Sequence, residues 1–136
     1  MKKLIAGLLI AAFTFTLCYA ATPEKKAEKS AKQWLELVDN KNYAQSYDEA
    51  ASFFKAMVDK NSWIQTCGRL RDMLGEVQSR KLISATRETR MSGAPDGEYI
   101  VLVFKTTFRK KADAQEIIVP MLDSDGKWRV SGYHID

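Results

Sequence analysis

The chain has 136 residues, with 21 lysines and arginines against 17 aspartates and glutamates and a single histidine, for a formal net charge of +4. One histidine and two cysteines exclude a metal centre built on several imidazoles and a disulfide framework, and no Walker, dinucleotide, CxxC or HExxH pattern appears, so neither cofactor nor metal is expected. With no clustered basic face, the charge gives no reason to expect nucleic acid as a partner.

Met1-Lys2-Lys3, an apolar run from Leu4 to Leu17, and Cys18-Tyr19-Ala20 ahead of a polar stretch read as a basic n-region, an h-region and a small-residue cleavage site. This predicts a signal peptide over residues 1–20, cut after Ala20, and a periplasmic or secreted protein. The apolar run is 14 residues, short of the roughly 20 that span a bilayer, so no membrane span is expected after cleavage. Leu17 before Cys18 argues against lipoprotein processing. Residues 21–136 then form a single α+β domain, large enough for one core. Losing Lys2 and Lys3 leaves 19 basic and 17 acidic side chains, net +2. Only Cys67 survives cleavage, so no internal disulfide can form, and its spacing from Trp63, Leu70 and Leu74 makes it a small buried hydrophobe.

Thr22-Pro23 predicts a helix start, with Ala27, Ala31, Trp34, Leu35 and Val38 on its apolar side and Asp39-Asn40-Lys41-Asn42 ending it. A second helix is predicted from Tyr43 to about Val58, with Tyr43, Tyr47, Ala50, Ala51, Phe54 and Val58 on one side and Phe53 and Met57 widening it. Ser62 and Gln65 form a capping-box pattern for a third helix carrying Trp63, Cys67, Leu70 and Leu74, which Gly75 closes; Arg69, Arg71 and Asp72 lie off that stripe. Ser79 to Arg90, charged and imperfectly alternating, suits an edge strand. Tyr99–Phe108, Glu116–Leu122 and Lys127–Ile135 are β-rich segments separated by Arg109-Lys110-Lys111 and Asp123-Ser124-Asp125-Gly126, an antiparallel meander needing apolar cover from the helices.

These residues carry a family resemblance. Trp34-Leu35, Val38-Asp39, Tyr43, Ser46, Phe53-Phe54-Lys55, Trp63, Gly75 and Arg80 lie in the first half. Pro95-Asp96-Gly97-Glu98-Tyr99, Phe104, Thr106, Phe108, Lys111, Glu116 and the ending Asp125-Gly126-Lys127-Trp128-Arg129-Val130-Ser131-Gly132-Tyr133 follow. Over nearly its whole mature length the chain resembles the bacterial family called domain of unknown function 4019. That resemblance brings no activity with it. The order of helices before a curved antiparallel sheet also looks like the cone-shaped, cystatin-like or nuclear-transport-factor-2-like folds, an analogy of topology alone.

Enzymes of that cone shape place a carboxylate in the cavity, and the candidates are Asp39, Asp48, Glu49 and Glu116. Asp39 sits at a helix end, and Asp48 and Glu49 flank the buried side of the second helix. Only Glu116 suits a proton-transfer role, although a cross-strand pair with Lys105 or Arg129 is its more ordinary use. His134, near the C-terminus, reads as a surface group before a general base. The aromatic residues Trp34, Tyr47, Trp63, Phe104, Trp128 and Tyr133 are the set most able to line a pocket, their ordinary role being plain core. Both faces of the central strands are apolar, so a homodimer through the outer sheet face is expected. The functional reading is a non-catalytic binding or protein-interaction module, taking a small apolar ligand or a protein partner. The alternative is a small lyase or isomerase using a cavity carboxylate or His134.

Overall fold

The computed structural model describes residues 19–136. The elements are α1 (Pro23–Asp39), α2 (Tyr43–Asp48), α3 (Ser52–Met57), α4 (Lys60–Leu74), β1 (Val77–Glu88), β2 (Tyr99–Phe108), β3 (Lys111–Leu122) and β4 (Trp128–Ile135). The signal-peptide reading falls on residues 1–20 and so, apart from its last two, lies outside the described residues. Among the described residues no helix is long and apolar enough to cross a membrane.

Helix α1 begins where Thr22-Pro23 places it: Thr22 is extended and its Oγ1 accepts from the Lys25 amide at 3.3 Å. Ala27, Ala31, Trp34, Leu35 and Val38 are buried, as their 3.6-residue spacing predicts. Lys41 takes a φ of 63°, and this left-handed turn reverses the chain into α2.

The single helix expected from Tyr43 to Val58 is instead two short ones. Ala50 and Ala51 are fully buried, and the Ala51 amide donates to the Val130 carbonyl of β4 at 2.8 Å, which diverts it from a helical partner. The first turn of α3 is then capped from a distance, because Asp123 in the β3–β4 turn accepts from the Ser52 amide at 3.2 Å and hydroxyl at 3.1 Å. Met57, expected to widen the apolar side, is 67% exposed. Asp48 and Glu49, placed by sequence beside the buried side, are exposed.

Helix α4 starts earlier than Ser62. Asp59 is its cap and accepts from the Ser62 amide at 3.0 Å, so Ser62 belongs to the first turn. Gly75 closes it with a φ of 76°, and a Cβ there would stand 3.1 Å from the Arg109 Cβ, so glycine answers both the backbone and the packing.

The sheet is an antiparallel meander in the order β1-β2-β3-β4, with the charged β1 at an edge. Strand β3 begins at Lys111, five residues before Glu116, because Arg109-Lys110 alone make the turn and Phe108 pairs with Lys111. Register shifts interrupt all three ladders, and such bulges bend strands, giving an open curved sheet. Its inner face presents Ile100, Leu102, Phe104, Ile118 and Val130 to the buried side of α1, which makes the architecture α+β with helices against one sheet face. Each side chain buried this fully contributes about 1.5–3 kcal/mol. On the outer face Val101, Val103, Ile117 and Val119 stay half-buried, and only Tyr99 and Met121 are covered, under Phe53, Met91 and Ala94.

Cys67 is 2% exposed, inside the same core. Burial pushes its thiol up to about 12, with Arg71 opposing the shift. A thiol raised in the fold ionises first in the unfolded chain, so its contribution is intact below pH 9 and lost as pH rises toward 12. At pH 10 the loss is about 1.4 kcal/mol. In urea unfolding, the stability lost between pH 8 and pH 10 should be about 1.4 kcal/mol greater in the wild type than in Cys67→Ala; equal losses would show that the thiol titrates as if exposed.

Candidate functional site

A chain of alternating charges runs from the helices into the concave face of the sheet. It starts at Asp39, the last residue of α1, whose carboxylate accepts from Nη2 of Arg71 on α4. The same carboxylate takes Arg80 of β1, with Nη1 at 2.8 Å from Oδ2 and Nη2 at 3.1 Å from Oδ1. Arg80 also reaches Glu116 on β3, with Nε at 2.7 Å from Oε1 and Nη2 at 3.3 Å from Oε2. Thr106 donates to Oε1 of Glu116, and the Tyr133 hydroxyl donates to Oε2 at 2.5 Å.

Glu116 has no solvent exposure. Each of its oxygens accepts one guanidinium N–H and one hydroxyl, which fills the acceptor capacity of an ionised carboxylate. The pairing expected with Lys105 or Arg129 is not formed: Lys105 faces Gln115 across the ladder, and Arg129 binds Asp123 and Asp125. Burial works against the charge of Arg80, but its hydrogen bonds to Asp39 and Glu116 outweigh that and lift its pKa further above the ordinary arginine value. Tyr133 is held well above the usual phenol range, by burial first and by the neighbouring Glu116 charge second.

The sequence places Arg71 off the apolar stripe, yet its side chain is 6% exposed and its guanidinium carbon sits 5.1 Å from the centre of the Phe108 ring. The helical spacing already carried the signal, since Arg71 is four residues beyond Cys67 and three before Leu74. The Arg71 Nε and the Tyr43 hydroxyl are buried without a hydrogen-bond partner among the described residues. A polar group left in that state costs about 1–3 kcal/mol. Both residues line a half-open cleft of about 370 Å³ between the ends of α1 and α4 and the β2–β3 turn, together with Val38, Asp39, Lys41, Asp72, Gly75, Glu76, Val77, Arg109 and Lys110.

The aromatic candidates lie beside the charged chain. Trp34 meets Tyr133 edge-on at 5.4 Å and Trp63 at 5.7 Å, and Trp63 meets Phe54 at 5.2 Å. Tyr47 joins through Phe54 at 6.1 Å, and Phe104 shares the core that holds Trp34. Both indole N–H groups are satisfied within the molecule, Trp34 on the Ser46 carbonyl at 2.8 Å and Trp63 on the Ser46 hydroxyl at 3.0 Å. Trp128 packs against the same core and, with Trp34, borders a second cleft of about 350 Å³ that also includes Ser30, Gln33 and Asp48. His134 is exposed and bonds Asp136 at 2.6 Å; Asp48 forms a surface pair with Lys60.

A family model described as protein of unknown function (DUF4019) matches residues 30–133, which takes in the whole charged chain. No curated protein matches the sequence.

If the charge chain is what neutralises Glu116, Arg80→Met should cost roughly 3–5 kcal/mol, since it strips the partner from a buried carboxylate. Adding Glu116→Gln should recover more than half of that, because the amide oxygen still accepts a hydroxyl without carrying charge. Urea unfolding of the single and double variants measures both, and an equal cost in the two would rule out charge neutralisation as the cause.

Proposed function

The chain belongs to the DUF4019 family, and from that premise we propose that residues 21–136 are an exported, non-catalytic binding module whose ligand sits in the cleft beneath Arg71 and Tyr43. The leader-like residues 1–20 support export to the periplasm or beyond. One observation carries the binding reading: a half-open cleft of small-ligand size is lined by Lys41, Arg109, Asp72 and Glu76, charges of both signs that form no ion pair among the described residues.

Acid–base catalysis draws less support. A general base needs a free lone pair directed at its substrate. Glu116 has both oxygens occupied, and His134 lies on the surface beside Asp136.

Pairing of two copies through the outer sheet face is part of the same proposal. Val101, Val103 and Ile117 form a half-buried apolar stripe there, with Lys81 opposite Lys105 near one end and Glu88 opposite Tyr99 at the other. A two-fold axis lying in the interface, across the strands, sets the basic end of one copy over the acidic end of the next.

Native mass spectrometry of the mature protein from its source cell should report two copies and a retained small molecule, and His134→Gln should leave both unchanged. Light scattering at roughly 50 µM should give twice the chain mass, and Val103→Lys should return the mass of one chain. A single chain mass in the wild type would remove the pairing; loss of the bound molecule in His134→Gln would move the site to the C-terminus.

A further inference from the structure

We infer that the cleft of about 350 Å³ between α1, the end of α2 and the start of β4 binds a neutral saccharide, with a pyranose ring against Trp128 and its hydroxyls on Gln33 and Glu49. This site is separate from the cleft at the ends of α1 and α4 and does not depend on it.

Trp128 differs from the other tryptophans. Trp34 and Trp63 send their N–H groups to Ser46, whereas the Trp128 side chain makes no hydrogen bond among the described residues. Among those residues the buried side-chain nitrogens and oxygens without a partner are the Arg71 Nε and the Tyr43 hydroxyl, so the unpaired Trp128 N–H is open to solvent. The indole is half-buried and borders the cleft. Its backbone is pinned on two sides: the Ser30 hydroxyl of α1 donates to the Trp128 carbonyl at 2.6 Å, and Trp128 pairs with Leu122 of β3. A partly exposed aromatic ring on a fixed backbone is a preorganised apolar surface. The C–H face of a pyranose ring is an apolar partner for it, and the hydroxyls around that face require donors and acceptors nearby.

The charges of the lining favour a neutral ligand. They are Asp48 and Glu49 against Lys127 and Arg129, two of each sign. Asp48 is held by Lys60, and Arg129 by Asp123 and Asp125, which leaves Glu49 and Lys127 without an ion pair among the described residues. One free charge of each sign exerts no net pull on an anion or a cation, yet each still bonds a hydroxyl. A zwitterion would use both charges and leave the indole idle. Glu49 accepts from Gln45 through Oε1 at 3.0 Å and keeps Oε2 for a ligand. Gln33 is exposed, and its amide both donates and accepts, as a sugar hydroxyl does. The volume admits a mono- or disaccharide.

Proton–nitrogen correlation spectra of the mature protein resolve the indole N–H signals, and Trp128→Phe assigns that of Trp128. Maltose, cellobiose and N,N′-diacetylchitobiose, each to about 50 mM, are the probes. At least one should shift the Trp128 signal saturably, with the Trp63 signal moving less. Gln33→Ala should weaken that binding by about five-fold or more while the melting temperature stays level, because the position is exposed. In calorimetry Trp128→Phe, which keeps a ring and loses the N–H, should bind more weakly than the wild type. Glycine, acetate and tetramethylammonium at the same concentration should bind more weakly than the best disaccharide. A Trp128 signal that no disaccharide shifts, tighter binding of any charged probe, or an unchanged affinity in Gln33→Ala overturns the assignment.

Discussion

A carboxylate with no access to water, set in the concave face of a β-sheet, has to be neutralised by the protein itself, and the rest of this structure is arranged around that requirement. Glu116 meets it through Arg80, which needs a second carboxylate for its remaining N–H groups and finds Asp39, which in turn binds Arg71. Two acids and two bases close the account at zero net charge. Because the four residues come from β3, β1, α1 and α4, satisfying one charge fixes the ends of two helices against the sheet. Apolar packing alone is less directional, since Leu35 or Ile118 gains nearly as much in several positions.

The interior is therefore divided. One part is aromatic, from Phe54 through Trp63 and Trp34 to Tyr133, and is closed by edge contacts and by indole N–H groups that end on Ser46. The other is the charged chain. Tyr133 belongs to both, with its ring on Trp34 and its hydroxyl on Glu116. That hydroxyl completes the shell of a carboxylate that a proton-transfer enzyme would need free. At the far end of the chain the Arg71 Nε and the Tyr43 hydroxyl are buried without a hydrogen-bond partner among the described residues.

Much of the fold was legible from local signals. Thr22-Pro23 and Gly75 marked helix ends because capping is settled within one turn, and β2 was read to the residue because Tyr99–Phe108 is bounded by strong turn signals. The division of the second predicted helix was not legible. It depends on the Val130 carbonyl and the Asp123 carboxylate, about 80 and 70 residues away in sequence, and nothing in YAQSYDEAASFFKAM reports them. Helix periodicity alone cannot see an amide drawn off to a sheet edge.

The candidate site followed the same division. Glu116 stood out from sequence as an acid in an apolar strand, and Asp39 as an acid at a helix end. Arg80 appeared only among the residues of the family resemblance, and Arg71 shared the spacing of the buried stripe without being placed in it, since arginines are common on exposed surfaces and their burial depends on a partner from another element. By itself the sequence determined the helices-then-meander order, the buried side of α1, the buried thiol of Cys67 and the edge position of β1, because periodicity and caps are properties of neighbouring residues. Only the tertiary structure decided that Glu116 is saturated, that Arg71 points inward and that Tyr43 lacks a partner, because each is a statement about which distant groups arrive within hydrogen-bonding reach.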